Sequence, residues 1–159
     1  HTNGYSLARA IVFEHLGLAP DTVVAELGCT IADELLRVHR SYLPVIGPLL
    51  EAGLVKGLAH ITGGGITENL PRILPAGTAA LIDTSAWTPN AVFRYLQRVG
   101  NVPEDDMYRT FNMGVGLIVA CAFDDAERVT VMLQAAGETR VHRVGRVIEG
   151  ERGVVYGRL

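Results

Sequence analysis

Gly116-Leu117-Ile118-Val119-Ala120-Cys121-Ala122, followed by Phe123-Asp124 and a run that ends at Gly137, decides the class of fold. The first seven residues are continuously apolar and bounded by turn formers, which predicts a buried strand. Asp124 then caps a helix in which Val129, Met132, Leu133 and Ala136 share one face, with Gly137 just past its end. Strand gives way to helix within a few residues.

The alternation continues in both directions. Upstream, Thr88 as N-cap, Pro89 at the first helical position, the spacing of Val92, Leu96 and Val99, and then Gly100 predict a helix. Residues 103–108 predict a short helix with an acidic start, and residues 78–83 a strand. Residues 67–74 predict another short helix, in which Pro71 is tolerable near the first turn. Residues 56–62 form a short apolar run feeding Gly63-Gly64-Gly65, a strand entering a tight loop. Residues 44–52 have a helical pattern, with Gly53 placed for the C′ position. Thr30-Ile31-Ala32-Asp33 resembles a capping box opening a helix through Leu36 and Val38. Residues 5–16 read as a mostly apolar helix stopped by Gly17 and Pro20. Downstream, residues 141–148 predict a more exposed strand and residues 154–156 a last short one. The class is α/β, with a central mixed sheet flanked by helices, and residues 1–159 read as a single domain without repeat or linker.

Composition narrows the function classes. Of the 159 residues 48% are hydrophobic and 19% charged, which supplies a core and excludes a disordered tail. Fourteen basic residues face 17 acidic ones for a net charge of −3, and no basic run exists, so no nucleic-acid partner is expected. The longest apolar run, residues 114–123, is half the length of a membrane-spanning helix, so no membrane partner is expected. Cys29 and Cys121 are far apart in sequence and read as buried free thiols, which fits a cytoplasmic setting. Residue 1 is His rather than Met, and the chain is expected to continue a longer polypeptide.

Four segments carry residue types suited to chemistry. In His60-Ile61-Thr62-Gly63-Gly64-Gly65, consecutive glycines between a strand and a helix leave backbone N–H groups uncovered, which suits an anion such as phosphate. No Gly-Lys-Ser/Thr follows, so it is not a P-loop. A tight turn without a ligand is the other reading, and a lone histidine such as His60 is more often a satisfied core residue than a catalyst. Tyr108-Arg109-Thr110-Phe111-Asn112-Met113-Gly114 sets Arg109 for a phosphate and Asn112 for an amide or sugar hydroxyl. Its alternative is a glycine turn in which Asn112 satisfies its own backbone. In His1-Thr2-Asn3-Gly4-Tyr5-Ser6-Leu7, Thr2 or Asn3 reads locally as a helix cap. In Asn69-Leu70-Pro71-Arg72, Arg72 is a second anion ligand or a solvated helix arginine. The five histidines and two cysteines show no metal-ligand spacing, and Ser6, Ser41 and Ser85 lie in no nucleophile elbow.

Taken in order and at this spacing, the four segments, with Val144-Gly145-Arg146-Val147 near the end, resemble the C-terminal domain of the phosphoribosylformylglycinamidine cyclo-ligase (AIR synthetase) family over nearly the whole chain. Each motif alone is weak; the ordered set is specific. The resemblance implies an ATP-dependent ring closure in purine biosynthesis. ATP phosphorylates the formyl oxygen of formylglycinamidine ribonucleotide, an amidine nitrogen attacks that carbon, and phosphate leaves as the imidazole ring of aminoimidazole ribonucleotide forms.

It further implies His1 and His60 as groups for proton transfer or phosphoryl charge. Asn3, Gly4, Thr62, Gly63, Gly64, Gly65, Asn69, Arg72, Asn112 and Gly114 would bind substrate or phosphate. ATP and Mg²⁺ would be held mainly by an N-terminal domain of the same polypeptide, and the full enzyme would be a homodimer. The chain alone is then expected to be inactive. Two alternatives are a non-catalytic phosphate- or nucleotide-binding module and another member of the same ATP-dependent superfamily, which includes selenophosphate synthetase and thiamine-monophosphate kinase.

Overall fold

Gly4, in the left-handed region at φ +80°, opens helix α1 (Tyr5–Arg9), which widens without a break into a π-helical run, Ala10–His15. Gly17 at φ +63° turns the chain out of it. This computed structural model describes residue 1 and residues 3–159, so the proposed capping role of Thr2 lies outside the described residues. Strands β1 (Val23–Val24) and β2 (Cys29–Thr30) pair antiparallel in a small hairpin. Two-residue strands are too short for alternation to show in sequence, and this hairpin was not predicted.

Thr30 does open a helix, α2 (Ile31–Leu35), through a complete capping box with Asp33. The helix stops short of Val38. Helix α3 (Leu43–Glu51) carries Pro44 in its first turn and Pro48 in its interior, and Gly53 at φ +68° follows its end. Strand β3 (Gly57–His60) leads to the glycine loop and helix α4 (Gly65–Asn69), which tightens into a 3₁₀ turn, Leu70–Ile73. Pro71 sits at the start of that turn, where its missing N–H costs nothing.

Strand β4 (Thr78–Ile82) precedes helix α5 (Ala91–Val99). Asn90, not Thr88, is its N-cap: Asn90 keeps an extended ψ of 154°, so Pro89 lies before the helix rather than in its first turn. Helix α6 (Glu104–Thr110) opens with Glu104, Asp105 and Asp106, whose charges oppose the positive end of the helix dipole. Strand β5 (Leu117–Ala120), helix α7 (Ala126–Ala135), strand β6 (Gly145–Glu149) and strand β7 (Val154–Tyr156) complete the chain. A 3₁₀ turn, Phe123–Asp125, leads into α7, whose N-cap is Asp125 instead of Asp124. Strand β6 begins at Gly145 and not at residue 141, because its ladder runs against the five residues of β4, from Ile82↔Gly145 to Thr78↔Glu149.

The α/β alternation stands. Among the described residues the strands form three sheets: β1 with β2, β3 with β5, and the mixed sheet β6-β4-β7, in which β4 is antiparallel to β6 and parallel to β7. Two compact units carry them. One comprises His1–His39, Ile61–Glu68 and Thr88–Gly116; the other comprises Arg40–His60, Asn69–Trp87 and Leu117–Leu159.

The first unit closes around Ala8, Ile11, Val12, Val24, Ile31, Tyr95, Leu96, Met107, Phe111 and Met113. The predicted apolar face of α5 supplies Leu96, with Val92 and Val99 packed beside it. Met107 is 0% exposed, and burying a side chain of that size contributes about 1.5–3 kcal/mol. The second unit packs α3 on α7 through Val45, Ile46 and Leu49 against Val129 and Leu133. Gly145 is required there because a Cβ would strike the Leu81 carbonyl oxygen across the sheet. The two cysteines are free but half-buried rather than buried.

Candidate functional site

Three of the four sequence segments meet within the first unit. Gly65, buried at the start of α4 with φ +59°, lies so close to the Tyr108 carbonyl that a Cβ would overlap it, and the Phe111 carbonyl is 2.9 Å from the same point. The Gly65 N–H donates to the Thr62 carbonyl at 3.0 Å, closing the glycine loop. Gly64, at φ +91°, folds under the Glu68 side chain: an added Cβ would overlap its carboxylate and lie 2.7 Å from the Glu68 Cβ. A Cβ on exposed Gly63 would meet Asn3 Oδ1 at 3.7 Å, an ordinary contact.

The opening segment is held against the other two. A Cβ on Gly4 would run into the Phe111 ring and come within 3.2 Å of Thr110 Cγ2. Gly4 is the residue that caps α1, with no side-chain hydrogen bond, so Asn3 does not serve as the cap. Its carboxamide lies beside Gly63 instead. His1 Nδ1 is 3.2 Å from the Ile61 carbonyl oxygen, and its ring stacks on His39 with centroids 4.2 Å apart and planes 17° from parallel.

The segment after α6 forms its own turn. Asn112, buried, accepts the Gly114 N–H on Oδ1 at 2.9 Å, and its carbonyl accepts the Val115 N–H at 2.9 Å. Met113 takes a left-handed φ of 51° and Gly114 one of 92°. The reading of Asn112 as satisfying its own backbone is therefore met at Oδ1. A Cβ on Gly114 would meet Asn90 Oδ1 at 3.2 Å, so Asn90 borders this turn. Beside the convergence is a cleft of about 120 Å³ whose lining includes His1, Asn3, Tyr5, Asn90, Phe93 and Phe111. The Tyr5 hydroxyl donates to the Leu35 carbonyl. Glu34 and Arg37, also on the lining, pair at 2.8 Å.

His60, Asn69 and Arg72 belong to the second unit. His60 ends β3 with an exposed ring that meets Tyr42 edge-on, centroids 6.3 Å apart and planes at 64°. Asn69 is only 4% exposed, whereas Arg72 is exposed on the 3₁₀ turn. Burial pushes the Tyr42 phenol up from its ordinary value, the Arg40 guanidinium opposing and the Glu138 carboxylate adding to the rise.

Sequence reasoning did not single out Tyr5, His39, Asn90 or Tyr42. Tyr5 stands inside the opening motif, and Asn90 directly precedes α5. His39 and Tyr42 are remote in sequence from the rings they touch, and nothing local marks them.

Residues 1–158 match the family described as AIR synthase related protein, C-terminal domain. Phosphoribosylformylglycinamidine cyclo-ligase of Geotalea uraniireducens is 42% identical over 153 residues, covering 96% of this chain and 44% of that protein. The protein of the same name from Desulfitobacterium hafniense is 45% identical over 156 residues, covering 98% of this chain and 45% of that one. The chain thus spans less than half the length of these relatives. Thiamine-monophosphate kinase from Stenotrophomonas maltophilia shares the fold at a TM-score of 0.65 and 18% identity, over 98% of this chain and 46% of that one. With α/β architecture, ordered motifs and a family match from end to end, the chain belongs to the AIR synthase related proteins as a C-terminal domain of that family.

Proposed function

We propose that this chain is the C-terminal lobe of a phosphoribosylformylglycinamidine cyclo-ligase, acting in the ATP-dependent closure of formylglycinamidine ribonucleotide to aminoimidazole ribonucleotide. The observation that carries this reading is the meeting of Asn3–Gly4, Gly63–Gly65 and Tyr108–Gly114 in one unit. The 42% identity to a cyclo-ligase supports the same conclusion.

Ring closure needs two ends of one substrate held together and charge offset at a transferred phosphoryl group. The three glycines divide this work from packing. Gly64 and Gly65 have their missing Cβ space filled by Glu68 and the Tyr108 carbonyl, so they shape the loop. Gly63, exposed and beside Asn3, is the glycine a phosphate or substrate would reach, with Thr62 next to it.

Asn3 would orient the substrate by its carboxamide, and Asn112 by its Nδ2, since Oδ1 is engaged by Gly114. Gly4 and Gly114 keep their turns open for these amides. His1 and His60 would serve proton transfer or phosphoryl charge, and Arg72 would meet an anion. Buried Asn69 would support the segment that carries Arg72.

Mg²⁺ favours carboxylate and phosphate oxygens. In the first unit Glu34 is paired with Arg37, and Glu68 covers Gly64, so neither is set aside for a cation. We assign ATP and Mg²⁺ to an N-terminal domain carried by the rest of a longer polypeptide. That domain would be this lobe's partner in a homodimeric, cytoplasmic enzyme, and Mg²⁺ would supply phosphate charge neutralisation there.

The test is ATP-dependent formation of aminoimidazole ribonucleotide by this chain alone and by a polypeptide joining it to such a domain. Turnover by the longer protein only is the expected result. Turnover by neither overturns the substrate assignment, and turnover by the short chain overturns the placement of ATP. In the longer protein, a His60→Ala variant with undiminished turnover removes His60 from the catalytic set.

A further inference from the structure

His60 is the last residue of β3 and its side chain is exposed. An imidazole that handles protons must be held close to its productive geometry, because about 1 Å of misplacement costs on the order of 100-fold in rate. Within its own unit the His60 ring has a wall. The ring of half-buried Tyr42 meets it edge-on, centroids 6.3 Å apart at 64°, a favourable arrangement for two aromatic rings.

Tyr42 is itself fixed from two directions. Its carbonyl accepts the N–H groups of Val45 and Ile46, at 3.1 and 3.0 Å, so its backbone is tied to the first turn of α3. Its ring packs on the Val45–Leu49 and Val129–Leu133 core, and the Arg40 guanidinium lies 6.0 Å from the ring centroid.

Arg40 is held in turn by Glu138. The Arg40 Nη2 donates to Glu138 Oε2 at 2.8 Å, and the Arg140 N–H donates to Glu138 Oε1 at 3.0 Å. The Glu138 side chain is 12% exposed and that of Arg40 49%, so solvent is kept from the carboxylate side of the pair only. Gly137 at φ +94° and the Glu138 N–H donating to the Leu133 carbonyl at 2.9 Å place that carboxylate just past α7.

We propose that Tyr42 is a positioning residue for the His60 imidazole, braced by the Arg40–Glu138 ion pair. The inference rests on the catalytic role proposed above for His60. The contact is made by the Tyr42 ring, so Tyr42→Phe preserves it and Tyr42→Leu abolishes it. Tyr42 stays a neutral phenol in the working range, because burial raises its pKa.

The test has two readouts. In this 159-residue chain, the His60 ring-proton shifts and side-chain couplings are measured by NMR in the parent, Tyr42→Phe, Tyr42→Leu and Glu138→Gln, with melting curves to establish folding. The Phe variant is expected to match the parent. The Leu variant is expected to lose the ring-current displacement and average its couplings, and Glu138→Gln to fall between. His60 signals unchanged in folded Tyr42→Leu overturn the proposal, as does their loss in Tyr42→Phe.

The second readout is turnover in the longer polypeptide, where Tyr42→Leu is expected to lower kcat about tenfold with KM unchanged and Tyr42→Phe to restore it. If the His60 signals move while kcat does not, positioning by Tyr42 holds and the catalytic role of His60 is what fails.

Discussion

Gly65 presents its bare Cα to the main-chain carbonyl of Tyr108, and the space a side chain would need is already taken by that oxygen. The glycine loop and the Tyr108–Gly114 segment can lie side by side only on this condition. Gly17 has nearly the same φ, +63° against +59°, yet has nothing within 4 Å of its Cβ position. The two therefore separate conformational strain from steric exclusion. Gly17→Ala is expected to cost about 1–2 kcal/mol, the ordinary left-handed penalty. Gly65→Ala is expected to cost at least about 2 kcal/mol more, since the obstacle is buried backbone. Urea unfolding of the two variants measures the difference.

Thr30 and Asp33 form a reciprocal cap on α2: the Asp33 N–H donates to Thr30 Oγ1 at 3.0 Å, and the Thr30 N–H and hydroxyl donate to Asp33 Oδ2 at 3.3 and 2.7 Å. Removing it by Thr30→Ala is expected to cost about 1 kcal/mol, readable as a lower urea midpoint with unchanged slope.

The Thr30 hydroxyl and N–H hold the Asp33 carboxyl below its ordinary value, and Ser85, with the Leu159 N–H, does the same for Asp83. A depressed carboxyl stabilises the fold above its unfolded-state pKa, near about 3.9, and that contribution is lost as pH falls through the lower folded value. Asp33→Asn and Asp83→Asn should therefore melt below the parent at neutral pH. The gap should close in acid below the folded values, and melting curves across that range test this.

Burial and the Asp125 carboxylate push the Cys121 thiol up, with Arg143 opposing. Only the thiolate alkylates readily, so the pH midpoint for iodoacetamide modification of Cys121 is expected above the ordinary thiol range. Asp125→Asn should lower that midpoint and Arg143→Gln raise it, followed by mass spectrometry of the Cys121 peptide.

We propose that residues 1–159 fold as one domain, because the chain passes between its two units at residues 39/40, 60/61, 68/69, 87/88 and 116/117. Neither unit is a continuous segment that can be excised. One calorimetric transition is expected, with equal van't Hoff and calorimetric enthalpies. Two resolved transitions would overturn the single-domain reading.

Much of the local structure was legible because it follows from short-range rules. Val92, Leu96 and Val99 announced α5, Thr30 with Asp33 announced α2, and the apolar run announced strand β5, in which only Ile118 is buried although a buried strand was expected. Boundaries slipped where competing starts were available, as with Thr88 and Asn90, since either residue type can cap a helix. The hairpin of β1 and β2 left no trace, because its strands are two residues each. Nor does a sequence reveal that three motifs separated by dozens of residues share one unit. The Gly4–Phe111 and Gly65–Tyr108 approaches are tertiary facts written in single glycines. Asn112 illustrates the reverse: its residue type suggested a ligand, while its Oδ1 serves the Gly114 N–H two residues away.

The interleaving of the two units also bears on how the chain is made. Because synthesis runs from the N-terminal side, the first unit cannot close until Gly116 has emerged, although Ala8, Ile11 and Val12 of that core are made well before it. At roughly 5–20 residues per second, the stretch from Arg40 to Gly116 takes on the order of 4–15 seconds to appear. Throughout that interval Ala8, Ile11 and Val12 lack Tyr95, Leu96, Met107, Phe111 and Met113 as partners, so a nascent chain halted before Gly116 leaves that apolar face uncovered.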